Sequence, residues 1–184
     1  MIKQFSDYFW DQGIPIGRYP IGEAESTRIS YKIVMDPYRK HISVEKYKGV
    51  QFISTIYDSL FLDFRHLKRG EQHSWQKIPI EETPTQTTCL IRNQDDRIVY
   101  KEVHSFVGHR CKQCEVFSAQ DIKLSTQQVL YTELGDAFNG VILFDTEGKA
   151  VLLKKYAINE ENGEFSEMLQ EEWDMENFSF AKKK

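Results

Sequence analysis

From Arg28 to Ile158 the apolar residues recur with a period of two, in short runs separated by turn residues. Such alternation puts one face of each run in a core and the other in solvent, which marks half-buried β-strands. Ile29, Tyr31, Ile33 and Met35 open the series, alternating with Ser30 and Lys32. Asp36-Pro37-Tyr38-Arg39 supplies a turn, because proline presets φ at its second position. His41 to Tyr47 is the next strand, and Lys48-Gly49 reverses the chain. Val50 to Tyr57, the reversal Asp58-Ser59 and a strand from Leu60 to Leu67 follow. Parallel neighbours would need crossovers of about a dozen residues, so connections this short predict an antiparallel meander.

The pattern continues after the polar loop at Arg69-Gly70. Trp75 to Ile80 reads as a short edge strand, since Pro79 and Pro84 bracket Glu81-Glu82-Thr83 and discourage ladder pairing. Thr87 to Arg92 is a strand and Asn93 to Asp96 a turn. The stretch Arg97 to Phe117 then reads as two strands joined at Val107-Gly108-His109-Arg110. Gln127 to Leu134 is a further strand and Gly135 to Gly140 a loop. Val141 to Phe144 and Lys149 to Ile158 form a hairpin around Asp145-Thr146-Glu147-Gly148, which suits a type I turn closed by glycine at positive φ. An aromatic content of 13% with only six alanines agrees with this reading, because aromatic and branched side chains fit a pleated surface. The predicted class is mainly β: an antiparallel meander forming a barrel or a two-sheet sandwich. The order of elements loosely resembles the calycin architecture of small-ligand carriers, a resemblance that transfers no function.

The ends differ from the middle. Phe5, Tyr8 and Phe9 stand at i, i+3 and i+4, which predicts a short amphipathic helix from Phe5 to Asp11. Two prolines and three glycines between Gly13 and Gly22 argue against regular structure there. Asn159 to Asn177 carries eight acidic residues and no Lys or Arg. Phe165, Met168, Leu169 and Trp173 recur within it at helical spacing, so an acidic amphipathic helix is expected, followed by a tail ending in three lysines. The chain of 184 residues is then one domain in three stretches: an N-terminal helix and arm (1–27), a β domain (28–158) and an acidic helix with basic tail (159–184).

A net charge of −4, with Lys and Arg dispersed, lacks the positive field that a phosphate backbone demands, so nucleic acid is not expected as a partner. No apolar run approaches the roughly 18 residues that a membrane-spanning helix needs, and the N-terminal stretch lacks the apolar core of a signal peptide. Three cysteines are an odd number and do not suggest a disulfide framework. A reducing cytoplasm is the expected location, with export by a route that reads no cleavable signal left open.

The sharpest chemical feature is His104-x4-His109-x-Cys111-x2-Cys114, with Cys89 on a nearby strand. Zinc takes four N or S ligands in a tetrahedron, and one Cys-x2-Cys pair commonly supplies two. On a plain strand, however, residues three apart face opposite sides, so Cys111 and Cys114 would diverge unless the arm formed a local knuckle. A thioredoxin-like role needs a helix N-terminus that this strand-flanked motif lacks. Nucleophile elbows, phosphate-binding glycine loops and His-Glu-x-x-His are missing from the sequence, so catalysis is not the first expectation. Asp63, Arg65 and His66 on one strand read as an ion pair rather than an active site. The leading expectation is a non-catalytic β-rich protein that engages another protein or itself, with Phe165, Met168, Leu169 and Trp173 as contact residues. One alternative is a carrier of a small apolar ligand, with Tyr31, Phe52, Phe64 and Tyr100 as lining candidates. The other is a zinc-binding module through His104, His109, Cys111 and Cys114.

Overall fold

In the computed structural model the described residues are 2–21, 28–39, 41–59, 76–131, 138–158 and 165–167. They form β1 (Ile2–Asp11), β2 (Ile14–Pro20), β3 (Ile29–Asp36), β4 (His41–Lys48) and β5 (Gln51–Asp58). After residue 75 come β6 (Gln76–Glu82), β7 (Gln86–Arg92), β8 (Ile98–Val107) and β9 (Arg110–Ser118). The series closes with β10 (Lys123–Tyr131), β11 (Phe138–Phe144), β12 (Ala150–Ile158) and the three-residue β13 (Phe165–Glu167). All pairings among them are antiparallel, in one sheet ordered β2-β1-β3-β4-β5 and a second running β13-β12-β11-β10-β9-β8-β7-β6. The molecule is therefore mainly β with two antiparallel sheets, and the sheets do not close into a barrel.

Three expectations for the ends change. Phe5 to Asp11 belongs to strand β1 and not to a helix. The helical spacing is overridden because this segment has hydrogen-bonding partners on both sides, β2 and β3. The span from Gly13 to Gly22, expected to be irregular, contains β2. Its two prolines are tolerated because β2 is an edge strand, where a missing N–H need not face a neighbour. Gly17 is required there: a Cβ would lie 2.2 Å from the Phe5 ring that packs on it. Of the expected C-terminal helix, Phe165–Glu167 pairs with β12 as a strand, and 168–184 lie outside the described residues. So does the expected strand Leu60–Leu67.

The largest apolar cluster draws on both sheets. Tyr8, Tyr31, Ile33, Val44, Ile56 and Tyr57 from the first pack with Leu143 and Val151 from the second. A smaller cluster (Ile91, Tyr100, Cys114, Val116) lies within β7–β9 of the longer sheet. The sheets are also pinned by a polar junction at the β11–β12 turn. Asp145 is 1% exposed. Its Oδ2 accepts from the Tyr8 hydroxyl at 2.6 Å and the Trp10 indole N–H at 2.8 Å, and its Oδ1 accepts the backbone N–H groups of Glu147 and Lys149, both at 2.9 Å. Gly148, at φ +78°, lets the turn close tightly enough to aim both amides at one oxygen. Around this centre Lys46 donates to Glu147 at 2.6 Å, the Tyr31 hydroxyl donates to Glu147 at 3.0 Å, and Lys149 donates to Asp7 and to the Tyr8 carbonyl, each at 2.7 Å.

This junction predicts a measurable cost. Asp145→Ala would strand four donors, one buried and three part-buried, and urea unfolding should show a loss of at least about 3 kcal/mol; Tyr8→Phe removes a single donor and should cost about 1–2 kcal/mol. Burial, then the bond to Asp145, pushes the Tyr8 phenol far above its ordinary value, and burial with the Asp58 charge raises Tyr57 to about 12. Raised phenol values favour the neutral form in the fold, so their contribution is intact below pH of about 10 and is lost as pH climbs through the folded values. Stability measured between pH 9 and 12 should fall steeply, and the fall should be shallower in Tyr8→Phe.

Candidate metal centre

The candidate centre lies on one face of the longer sheet, across β6 to β9. Side chains two apart on a strand share a face, so Glu102 and His104 of β8 stand side by side. Register then adds their neighbours: Cys89 of β7 lies opposite Glu102, and Cys114 of β9 opposite His104. Across β6–β7 the partner of Lys77 is Ile91, two residues from Cys89, so Lys77 projects from the edge strand onto the same face.

Cys111 reaches this face through a bulge. Gln113 opposes Ser105 but Cys111 opposes Phe106, with a register shift between Ser105 and Phe106. Lys112 is thus an extra residue on β9, and an extra residue reverses the parity of everything beyond it. The expectation that Cys111 and Cys114 must diverge is corrected by this one-residue slip. Cys111 Sγ lies 3.8 Å from His104 Nδ1 and Cys114 Sγ 3.9 Å from His104 Nε2. The imidazole stands between the two thiols.

The tightest grouping is around Nε2. Glu102 Oε2 is 2.9 Å from it, and the ligand atoms of Glu102, His104 and Cys114 all lie within 4.8 Å of one another. Lys77 Nζ sits at the same point, 2.6 Å from Glu102 Oε2 and 2.9 Å from His104 Nε2. These contacts make contradictory demands on one nitrogen. To accept from the Lys77 ammonium Nε2 must be unprotonated, whereas to donate to the Glu102 carboxylate it must carry a proton. One arrangement that keeps both Lys77 contacts has Glu102 and His104 each offering a lone pair to a single cation. In a tetrahedral zinc site, bond lengths of about 2.0–2.3 Å separate O from N by about 3.3 Å and N from S by about 3.6 Å; the spacings of 2.9 and 3.9 Å here bracket those values.

Electrostatics follow from burial. Glu102 is 1% exposed, Cys89 4% and Cys114 5%. Burial, reinforced by the Glu102 charge and opposed by Lys77, pushes the Cys114 thiol far above its ordinary value. Burial likewise raises Cys89 and Cys111. For Lys77 the pull of Glu102 outweighs burial, the largest single influence, and the ammonium titrates higher than usual.

Of the sequence-derived candidates, His104 and Cys114 therefore converge with Glu102, which the sequence reading did not single out. Cys111 approaches the other ring nitrogen, and so is placed to orient the imidazole. His109 stands in the exposed Gly108-His109 turn at the hairpin tip, and the convergent group does not include it. Glu102 carried one available signal: it is an acid two residues from a histidine in an alternating strand. Lys77 carried none, since only the register of β6 brings it here. Among the carrier candidates, Tyr31 and Tyr100 are buried and Phe52 is half exposed, while Phe64 lies outside the described residues. Phe165 falls in β13; Met168, Leu169 and Trp173 lie outside the described residues, as do Asp63, Arg65 and His66. No described helix is long and apolar enough to cross a membrane.

No protein-family model, curated protein or solved structure matches this chain.

The thiol environments predict an order of reaction. Cys111 is only partly buried, so with iodoacetamide at neutral pH it should be alkylated first, as read by peptide mass spectrometry, with Cys89 and Cys114 following only after unfolding.

Proposed function

We propose that this protein binds a thiolate-accepting divalent cation, zinc above others, through Glu102, His104 and Cys114. The observation that carries this reading is the convergence of a carboxylate oxygen, an imidazole nitrogen and a sulfur within 4.8 Å on one sheet face, with His104 and Cys114 directly paired and Glu102 two residues along β8. An O, N, S donor set suits zinc, whereas calcium and magnesium select all-oxygen sets. Cys111, at the second ring nitrogen, holds the imidazole in orientation, as the partner of a metal-bound histidine commonly does. Three protein ligands leave a fourth position on a tetrahedral ion for water, with Cys89 a further thiol of the same face, opposite Glu102.

Binding must release the Cys114 proton, so affinity should weaken as pH falls. Native mass spectrometry of metal-free protein titrated with zinc should show one ion per chain. His104→Ala and Cys114→Ala should each lose it, while His109→Ala retains it. Loss in His109→Ala with retention in Cys114→Ala would return the centre to the exposed turn and contradict the reading.

A second reading, engagement of an extended segment of another polypeptide by strand addition, is favoured by β5. It is the last strand of its sheet among the described residues. Phe52 and Ile53 on it are 50% and 46% exposed, and Val50 before it 95%. Its only charged residue is Asp58 at the far end, so it lacks the charges that commonly guard sheet edges. Phe52→Lys should abolish association, read by sedimentation velocity, without lowering the thermal midpoint; unchanged association would remove β5 from consideration.

A further inference from the structure

We propose that Lys77 is a built-in competitor for the metal, its ammonium occupying the cation position until zinc displaces it. The inference rests on the metal-binding reading and adds a regulating residue to that site. Four observations converge on it.

First, Lys77 Nζ contacts two of the three ligands at hydrogen-bonding distance, 2.6 and 2.9 Å. No zinc ion bonded to the same oxygen and nitrogen at about 2.0 Å can share that position with it. Second, the ammonium resolves the conflict at His104 Nε2, because a donor to both Glu102 and His104 leaves neither acceptor demanding the other's proton. With the ammonium in place the Glu102 charge is paired and His104 has a donor, so zinc must replace a cation to enter. Third, Lys77 is free to leave. It sits on the edge strand β6, in which only Ile78 is partly buried and the other residues are exposed. Its side chain is 47% exposed, against 2% for Glu102. Its four-carbon stem can swing the charge into water with no change in the sheet. Fourth, the swing uncovers the centre: Glu102 and Cys114 are buried, and of Glu102, His104, Cys114 and Lys77 it is Lys77 that reaches solvent most.

A resident ammonium also sets selectivity. Ions that bind carboxylate alone gain one ligand and must still expel a charge already paired with it. An ion that draws on the sulfur and the imidazole as well recovers more on entry. The expected outcome is a centre responsive to zinc and indifferent to magnesium or calcium at the same concentration.

Zinc affinity, measured by competition with a chromophoric chelator, separates the possibilities. Lys77→Met should bind zinc at least about tenfold tighter than the unaltered chain, and Lys77→Arg, which keeps a cation there, no tighter than it. Equal or weaker binding by Lys77→Met would overturn the competitor role while leaving the metal reading standing. Zinc binding by neither the unaltered chain nor Lys77→Met would overturn both. Because Lys77→Met removes the ammonium beside buried Glu102 and could unfold the sheet, a second measurement uses the unaltered chain. The ammonium protons of Lys77, followed by nitrogen-detected NMR, should be protected from water exchange in the metal-free protein and lose that protection with one equivalent of zinc. Protection that persists after zinc binds would show that the ammonium never held the cation position.

Discussion

The two sheets are held in register with one another by the way a single buried carboxylate is satisfied. Asp145 accepts four hydrogen bonds, two from side chains of β1 and two from the backbone of its own turn. Burying an ion is costly unless donors replace its water, and here every donor is neutral and fixed by a strand or a tight turn. The β11–β12 turn is thereby seated against the first sheet. Its Thr146 amide also reaches the Ile56 carbonyl at 3.3 Å, and Gly13 in the β1–β2 turn donates to Val151 at 2.8 Å. The apolar cluster shared by Tyr8, Tyr57, Leu143 and Val151 lies beside this polar junction.

Glu102 is the other buried carboxylate among the described residues, and its environment is the opposite. It meets an ammonium and an imidazole, beside thiols that are weak donors. Asp145 is closed: adding a cation there would leave its donors without an acceptor. Glu102 instead faces a partner that reaches solvent, since the Lys77 side chain beside it is 47% exposed. The same physical requirement, pairing of a buried charge, makes one carboxylate a structural pin and suits the other to the cation exchange proposed above.

Much of the fold was legible in the sequence because the strands alternate cleanly and their turns carry glycine, proline or aspartate. The β8–β9 and β11–β12 hairpins fall where Val107 to Arg110 and Asp145 to Gly148 place them. Local patterns failed where tertiary pairing decided the outcome: Phe5, Tyr8 and Phe9 share helical spacing, yet β2 and β3 flank them. The site was half legible. His104 and Cys114 were visible as donors, but whether Cys111 faced them turned on the extra residue Lys112, and a bulge of this kind leaves no mark in residue type. Glu102 and Lys77 are ordinary charged residues until register brings their strands together, so no reading of a single segment could have joined them.

X-ray absorption at the zinc edge on the protein loaded with one equivalent tests the central claim most directly. One sulfur at about 2.3 Å with two or three oxygen or nitrogen neighbours at about 2.0–2.2 Å is the predicted shell, with the sulfur lost in Cys114→Ala. A second sulfur would bring Cys89 or Cys111 into the shell. A shell of oxygen and nitrogen alone, or one unchanged in Cys114→Ala, would contradict the account and leave the cluster as an internally paired ion network.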